Sequence, residues 1–407
     1  MKLQLEIKKA HLAFVPAFLI LYAFGGAIQF TNLLSQTSTN VIVILILVFY
    51  IIRNRRFYVD TPELVLLLAL ASLLIGGIIN GSDGAAFGVY LYYFSCVAIS
   101  FYSAKILANH PPISTKRAFS IAGLILTIQI PTLIFQAAYA EKIAAISRTP
   151  IIPLDVLSGT FYLKSDASLA FTALILSSAT FLLKVRHRYL ILVASTAIAF
   201  LTNSKASQAA AVIVFIALAM RELALHNRIQ KTHSILLRFS IFFIGLSASI
   251  FYFDAFKFFL DWILIELSFA YETRFNYETA NRLAVLGELL FGDLSLFGSG
   301  FLTYYNPLEN SWLYYSGHSL FYSLAIDCGI IGAVIFLAGI AFFTWKKLEH
   351  LFFRIIFLFI FLTFSFFNFS ASDISFLISY FFFIYLAKAR ADATSRVIYI
   401  GHKRRPG

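Results

Sequence analysis

Between residues 10 and 388 the chain is apolar for runs of 16 to 25 residues, repeatedly, with mostly short polar connectors between them. A helix of that length matches the hydrocarbon core of a bilayer, about 30 Å thick. No other feature limits the fold as strongly. Backbone polar groups inside hydrocarbon must pair within their own segment, which leaves bundled helices as the architecture for such runs. Sixty per cent hydrophobic residues, a mean hydropathy of +0.83 and 46 Phe exclude an ordinary soluble domain. The expectation is an all-α polytopic integral membrane protein, a single membrane domain over residues 1–407. About twelve transmembrane helices are expected, near 10–30, 40–52, 64–80, 86–107, 118–140, 167–184, 188–203, 206–220, 236–256, 318–345, 350–367 and 373–388. The first run is too long for a cleavable signal and lacks a cleavage site, so it reads as a span. Pro131 predicts a kink in the fifth span. No internal repeat is visible.

Charge assigns the sides. If the spans alternate, 25 of the 32 basic residues and 6 of the 20 acidic ones fall on one side, against 7 and 14 on the other. By the positive-inside rule the basic side is cytoplasmic, and both termini with it. The excess of +12 over the whole chain therefore reflects orientation and anionic inner-leaflet lipid, not nucleic acid. Two connectors on the outer side are long: residues 141–166, and residues 257–317 between the ninth and tenth spans. Residues 389–407 form a basic cytoplasmic tail. Cys96 and Cys328 lie inside apolar runs and imply neither a disulfide framework nor a cysteine metal site.

The 257–317 loop mixes charge, aromatics, Gly and Pro at length, so chemistry is sought there first. The outward-facing cations are Lys142, Arg148, Lys164, Lys205, Lys257, Arg274 and Arg282. Lys205, in the turn TNSKAS, is either a snorkelling lysine at a helix start or a cation aimed at a lipid-linked anion. Arg282 lies in NYETANRLAVLGELL, a predicted short helix with Leu283, Leu286 and Leu290 on one stripe. Glu278, four residues earlier, offers it an ion pair; Arg274 and Arg282 together would instead suit a diphosphate, because guanidinium donates in a planar fork. Gly298 and Gly300 in FGDLSLFGSG permit a tight path or a close backbone approach. His318 stands where the loop enters the tenth span, placed either as an interfacial bystander or as a general base for a sugar hydroxyl. Asp327 follows about 13 Å deeper, on a different side of the helix, and reads as a packing or network residue. The loop acids show no paired spacing for a bound metal.

Three short stretches resemble the O-antigen polymerase and ligase superfamily of bacterial polytopic glycosyltransferases. FLTNSKASQ resembles that family's SRG-like turn, with Lys205 where arginine is usual. RLAVLGELLFGDLSLFGSG resembles an arginine followed by a short helix and a G-x-G turn, at Arg282, Gly298 and Gly300. HSLFYSLAIDCG resembles the family's HNxxL…G at His318 and Gly329, with Ser319 and Tyr322 at the Asn and Leu places. SGTFYLKSDASLA, at residues 158–170, is a weaker fourth likeness. The resemblance implies a metal-independent inverting glycosyl transfer with no cofactor, on the outer face of the bacterial inner membrane. It makes His318 and Arg282 the candidate catalytic residues. Arg274, Lys205, Arg148, Gly298 and Gly300 become the candidate substrate-binding ones. The implied partners are an undecaprenyl-diphosphate-linked glycan, membrane lipids and a chain-length regulator protein. Polymerase, ligase acting on a lipid A core, and flippase all remain open at this point. The aromatic run Tyr304, Tyr305, Trp312, Tyr314 and Tyr315, suited to stacking on sugars, leans towards the polymerase.

Overall fold

The computed structural model describes residues 24–31, 33, 38–42, 44–45, 59–79, 84–109, 115–146, 157–161, 166–202, 204–226, 295–298, 300, 303–306, 311–314, 319–368 and 370–402. Eleven α-helices are bounded within them. They are α1 (Gly25–Phe30), α2 (Thr61–Ile79), α3 (Gly84–Asn109), α4 (Thr115–Ile146), α5 (Asp166–Leu182), α6 (Arg188–Leu201), α7 (Lys205–His226), α8 (Leu320–Asp327), α9 (Gly329–Lys347), α10 (Leu351–Phe367) and α11 (Ile374–His402). A further helical turn covers residues 38–42. A two-stranded antiparallel hairpin, β1 (Thr303–Asn306) with β2 (Ser311–Tyr314), pairs Tyr305 with Trp312 in register.

The bundle is built around α5, whose residues from Ala167 to Phe181 are buried on every face. A helix apolar all round and rich in alanine can be enclosed in this way, because small side chains let its neighbours come close. Its buried hydroxyls partly answer to the backbone: Ser177 donates to the Leu174 carbonyl at 2.9 Å and Thr180 to that of Ser177 at 2.6 Å. Ser195 of α6 reaches across to the Ala173 carbonyl at 2.9 Å. Beside α5, the phenylalanines of α10 and α11 interlock. Phe364 and Phe376 stand 4.2 Å apart by ring centroid, and Phe361 and Tyr380 5.0 Å. Phe101, Phe343 and Phe381 form a second, edge-to-face cluster joining α3, α9 and α11. Helices α2 and α9 touch through Ala69 and Gly339, where an added Cβ on the glycine would come within 2.6 Å of the alanine's.

The fold departs from the expected twelve spans in several places. Within the described residues only Ala122–Ile146 and Gly329–Lys347 are long and apolar enough to cross a membrane by length and composition; the helices within Thr61–Ala71, Ala167–Leu182, Arg188–Leu201, Leu351–Phe367 and Ile374–Ala389 are apolar but shorter. The tenth span is not one helix but two, α8 and α9. The last span does not stop at 388: α11 runs through the basic tail to His402. Pro131 lies inside α4, but the kink in that helix falls at Tyr139, whose dihedrals are non-helical (φ −124°, ψ 21°). The ninth span, the first two thirds of the first, much of the second and the predicted short helix around Arg282 lie outside the described residues.

Candidate functional site

The division between α8 and α9 falls in the sequence IDCGIIG, and a segment from the long loop fills it. The first N–H groups of any helix lack intrahelical acceptors. At α9 the preceding Cys328 makes no side-chain cap. The loop backbone serves instead: Ile330 donates to the Ser295 carbonyl at 3.2 Å and Ile331 to that of Leu296 at 3.3 Å. In return Gly300 donates its N–H to the Asp327 carbonyl at 3.2 Å. The loop can come this close only without side chains. Gly298 (φ +84°) with a Cβ would meet the Asp327 carbonyl oxygen at 2.3 Å, and Gly329 (φ +75°) with one would meet the Leu296 carbonyl oxygen at 2.2 Å. Both dihedrals lie in the left-handed region open to glycine. Ser295 Oγ holds the turn by accepting the Gly298 N–H at 3.2 Å.

The start of α8 is fixed from another direction. Leu320 donates its N–H to the Asn368 carbonyl, just past α10, at 3.3 Å. Asp327, buried at the far end of α8, accepts a short hydrogen bond from the Tyr90 hydroxyl of α3. Between these anchors Leu320, Leu324, Tyr90, Tyr93 and Phe336 help line an apolar cavity of about 20 Å³, with room for little more than one water. It is far too small for a sugar.

The turn before α7 belongs to the same end of the bundle. Ser204 caps α7, accepting the Ser207 N–H at 3.5 Å, which puts Lys205 at the first helical position. Near the other end of that helix the Arg221 guanidinium lies over the Phe353 ring at 4.4 Å. Sixteen residues of α7 lead back from Arg221 to Lys205, roughly 24 Å, and fifteen of α10 lead from Phe353 to Asn368, roughly 22 Å. Lys205 therefore stands at about the height of Asn368 and of the start of α8. Gln129 and Gln136 of α4 accept the N–H groups of Thr160 and Gly159, each at 2.8 Å. The Gly26 N–H reaches the Thr160 carbonyl at 2.9 Å.

The opposite end is held by charge. Asp60 and Glu63 form a capping box at the start of α2: the Glu63 N–H donates to Asp60 Oδ1 at 3.2 Å, and the Asp60 N–H donates to Glu63 Oε2 at 3.0 Å. The Glu63 side chain is wholly buried and also accepts from Lys105 at 2.5 Å, Lys347 at 2.9 Å and the Tyr385 hydroxyl at 2.8 Å. Lys347 bonds to Asp60 as well. Burial alone would raise the Glu63 pKa; the donors from Lys105, Lys347, Tyr385 and the Asp60 backbone outweigh it and hold the carboxyl below its usual value of 4.5. A second group ties α6 to α7, where Arg188 pairs with Glu222 at 2.8 Å.

No protein-family model, curated protein or solved structure matches this chain. The site must be read from its own residues. Of the sequence candidates, Gly298 and Gly300 lie at the α8–α9 break, and the backbone of Lys205 opens α7 at the same end. His318, Arg282, Arg274 and Arg148 lie outside the described residues; Ser319, next to His318, is buried at the start of α8. Among the described residues no three His, Cys, Asp or Glu side chains gather as metal ligands. Sequence reading missed the Glu63 cluster, although D-T-P-E at residues 60–63 carries the spacing of a capping box. It also missed Asn368, for which no local signal exists.

Proposed function

We propose that this chain is a multi-pass protein of the bacterial inner membrane, with about twelve spans and both termini cytoplasmic. In this reading it polymerises undecaprenyl-diphosphate-linked oligosaccharide repeat units, of O-antigen or a related surface polysaccharide, on the outer face. One observation carries the reading. Gly298, from the stretch resembling the family's Arg…G-x-G, lies against Gly329, from the stretch resembling its His…G. Two motifs thirty residues apart thus meet at one place, as a joint site for an arginine and a histidine requires. The topology has separate support: these contacts join span ends and connectors that charge sorting assigned to the same side. Asp60, Glu63, Lys105 and Lys347 meet at one end; residues 26 and 160, and 320 and 368, meet at the other.

In the proposed reaction an acceptor hydroxyl gives its proton to His318 and its oxygen attacks the anomeric carbon of the donor. A new C1–O bond forms as the C1–O bond to diphosphate breaks, with inversion. Undecaprenyl diphosphate leaves with the electron pair, its charge met by Arg282, Arg274, Lys205 and Arg148. The test gives purified protein a defined undecaprenyl-diphosphate repeat unit and no other acceptor. A glycan ladder that is lost in His318→Ala and Arg282→Ala is expected. Product formed only after a lipid A core is added would replace polymerase with ligase, and an undiminished ladder in His318→Ala would remove the base.

A further inference from the structure

At the end of the bundle where residues 295–300 seat, the largest buried polar side chain with an unmet donor is Asn368. Asn368 follows the last residue of α10 and is 6 % exposed. Its side-chain amide donor has no hydrogen-bond partner among the described residues. Two ordinary reasons for an asparagine there do not apply. Its backbone is extended (φ −143°, ψ 155°), so asparagine's tolerance of left-handed geometry is not in use. The bond that closes the helix is made by its backbone N–H to the Phe364 carbonyl, not by its amide. A buried amide with an unmet donor lowers stability, and an apolar residue of similar shape would avoid that cost.

Its surroundings indicate what the donor serves. The Asn368 carbonyl receives the Leu320 N–H, which holds Asn368 against the start of α8, two residues beyond His318. About one turn further along α8, the Ser323 hydroxyl is also buried without a partner among the described residues. Two unmet polar side chains therefore accompany the segment that the proposed base leads into, whereas Asp327 at the far end of the same helix is engaged by Tyr90.

We propose that Asn368 is a substrate-binding residue whose amide donates a hydrogen bond to an oxygen of the lipid-linked donor, with Ser323 as a second, weaker polar contact. This rests on the reading of the chain as a transferase that uses an undecaprenyl-diphosphate-linked glycan. The oxygen belongs either to the diphosphate or to the first sugar, and the ligands chosen below separate the two.

Full-length wild type and Asn368→Leu are reconstituted in nanodiscs. Thermal unfolding is followed alone, with undecaprenyl diphosphate, and with the lipid-linked repeat unit; KM and kcat of ladder formation are then measured. Without ligand, Asn368→Leu unfolds at the wild-type temperature or above it. It loses the ligand-induced rise in Tm, and its KM increases on the order of tenfold with a smaller change in kcat. Loss of the rise with both ligands assigns the contact to the diphosphate, and loss with the glycan-bearing ligand alone assigns it to the sugar. Asn368→Asp separates them again, since a carboxylate repels a diphosphate but accepts from a sugar hydroxyl. Wild-type ligand responses and KM in Asn368→Leu overturn the proposal, as does an unfolding temperature that falls before any ligand is added. A wild-type protein that responds to ligand yet builds no ladder, with or without a lipid A core, refutes the transferase reading, while loss of that response in Asn368→Leu still supports the contact. A wild type that responds to neither ligand removes both.

Discussion

The two ends of this bundle are held together by different physics. Every ion pair among the described residues lies at one end, where Glu63 alone joins α2, α3, α9 and α11 through Lys105, Lys347 and Tyr385. The other end is joined by backbone: the Gly298–Gly329 crossing, Leu320 to Asn368, and Gly26 to Thr160. A buried carboxylate surrounded by donors has no spare capacity, so that end suits an anchor. Unmet buried polar atoms occur at both ends among the described residues, Arg188 Nε beside the Glu222 pair and Asn368 Nδ2 and Ser323 Oγ at the glycine end; of these, Asn368 and Ser323 accompany the segment that the proposed base leads into. Stability and activity should therefore come apart when the two ends are perturbed separately.

Removing Glu63 tests the anchor most severely. Glu63→Ala removes the buried carboxylate that Lys105, Lys347 and Tyr385 share and leaves Lys347 to its pair with Asp60; breaking a buried pair in this way costs about 3 kcal/mol. Thermal unfolding should show a large drop in Tm, while protein that stays folded keeps its activity per molecule; a selective loss of activity would erase the distinction between the ends. Gly298→Ala comes next. Strain at φ +84° and the clash with the Asp327 carbonyl together cost roughly 2–4 kcal/mol, and here activity should fall further than Tm does. Equal losses in both would make the crossing merely structural.

Acid offers a gentler probe of the anchor. The folded-state pKa of Glu63 is depressed below 4.5, so its contribution is complete above that value and is lost as pH falls through the folded pKa. A plot of Tm against pH should therefore decline below about pH 4.5 in wild type, and Glu63→Gln should flatten that decline. The smallest expected effect is at the α7 cap. Ser204→Ala removes one long hydrogen bond of 3.5 Å, worth about 0.5 kcal/mol at the low end for such caps. Lys205→Ala should then be compared with it: an activity loss much larger than that of Ser204→Ala marks Lys205 as a diphosphate contact, and a similar small loss marks it as a snorkelling residue.

Local pattern was enough to find most helices. Helices α2, α3, α6 and α10 begin and end within three residues of their apolar runs, because hydropathy and helical rise act along a single segment. The glycines at 298 and 300 signalled a close approach, and glycine leaves few other reasons for itself in such a turn.

What lay beyond the sequence depends on partners far along the chain. An apolar run such as residues 318–345 contains nothing to say that loop carbonyls will cap a new helix at Gly329, because those carbonyls come from residues 295 and 296. Glu63 and Asp60 read as ordinary connector charges; only the fold brings Lys105, Lys347 and Tyr385 onto Glu63 from 42, 284 and 322 residues away. Asn368 looks like one more polar residue between two Phe-rich helices until its neighbours are known and none of the described ones accepts its amide. Composition and periodicity determined that this chain forms apolar helices. Tertiary structure alone decided which helix breaks, which charges are buried and which donor is left unmet, since each of these is a property of pairs of distant residues and not of any one stretch.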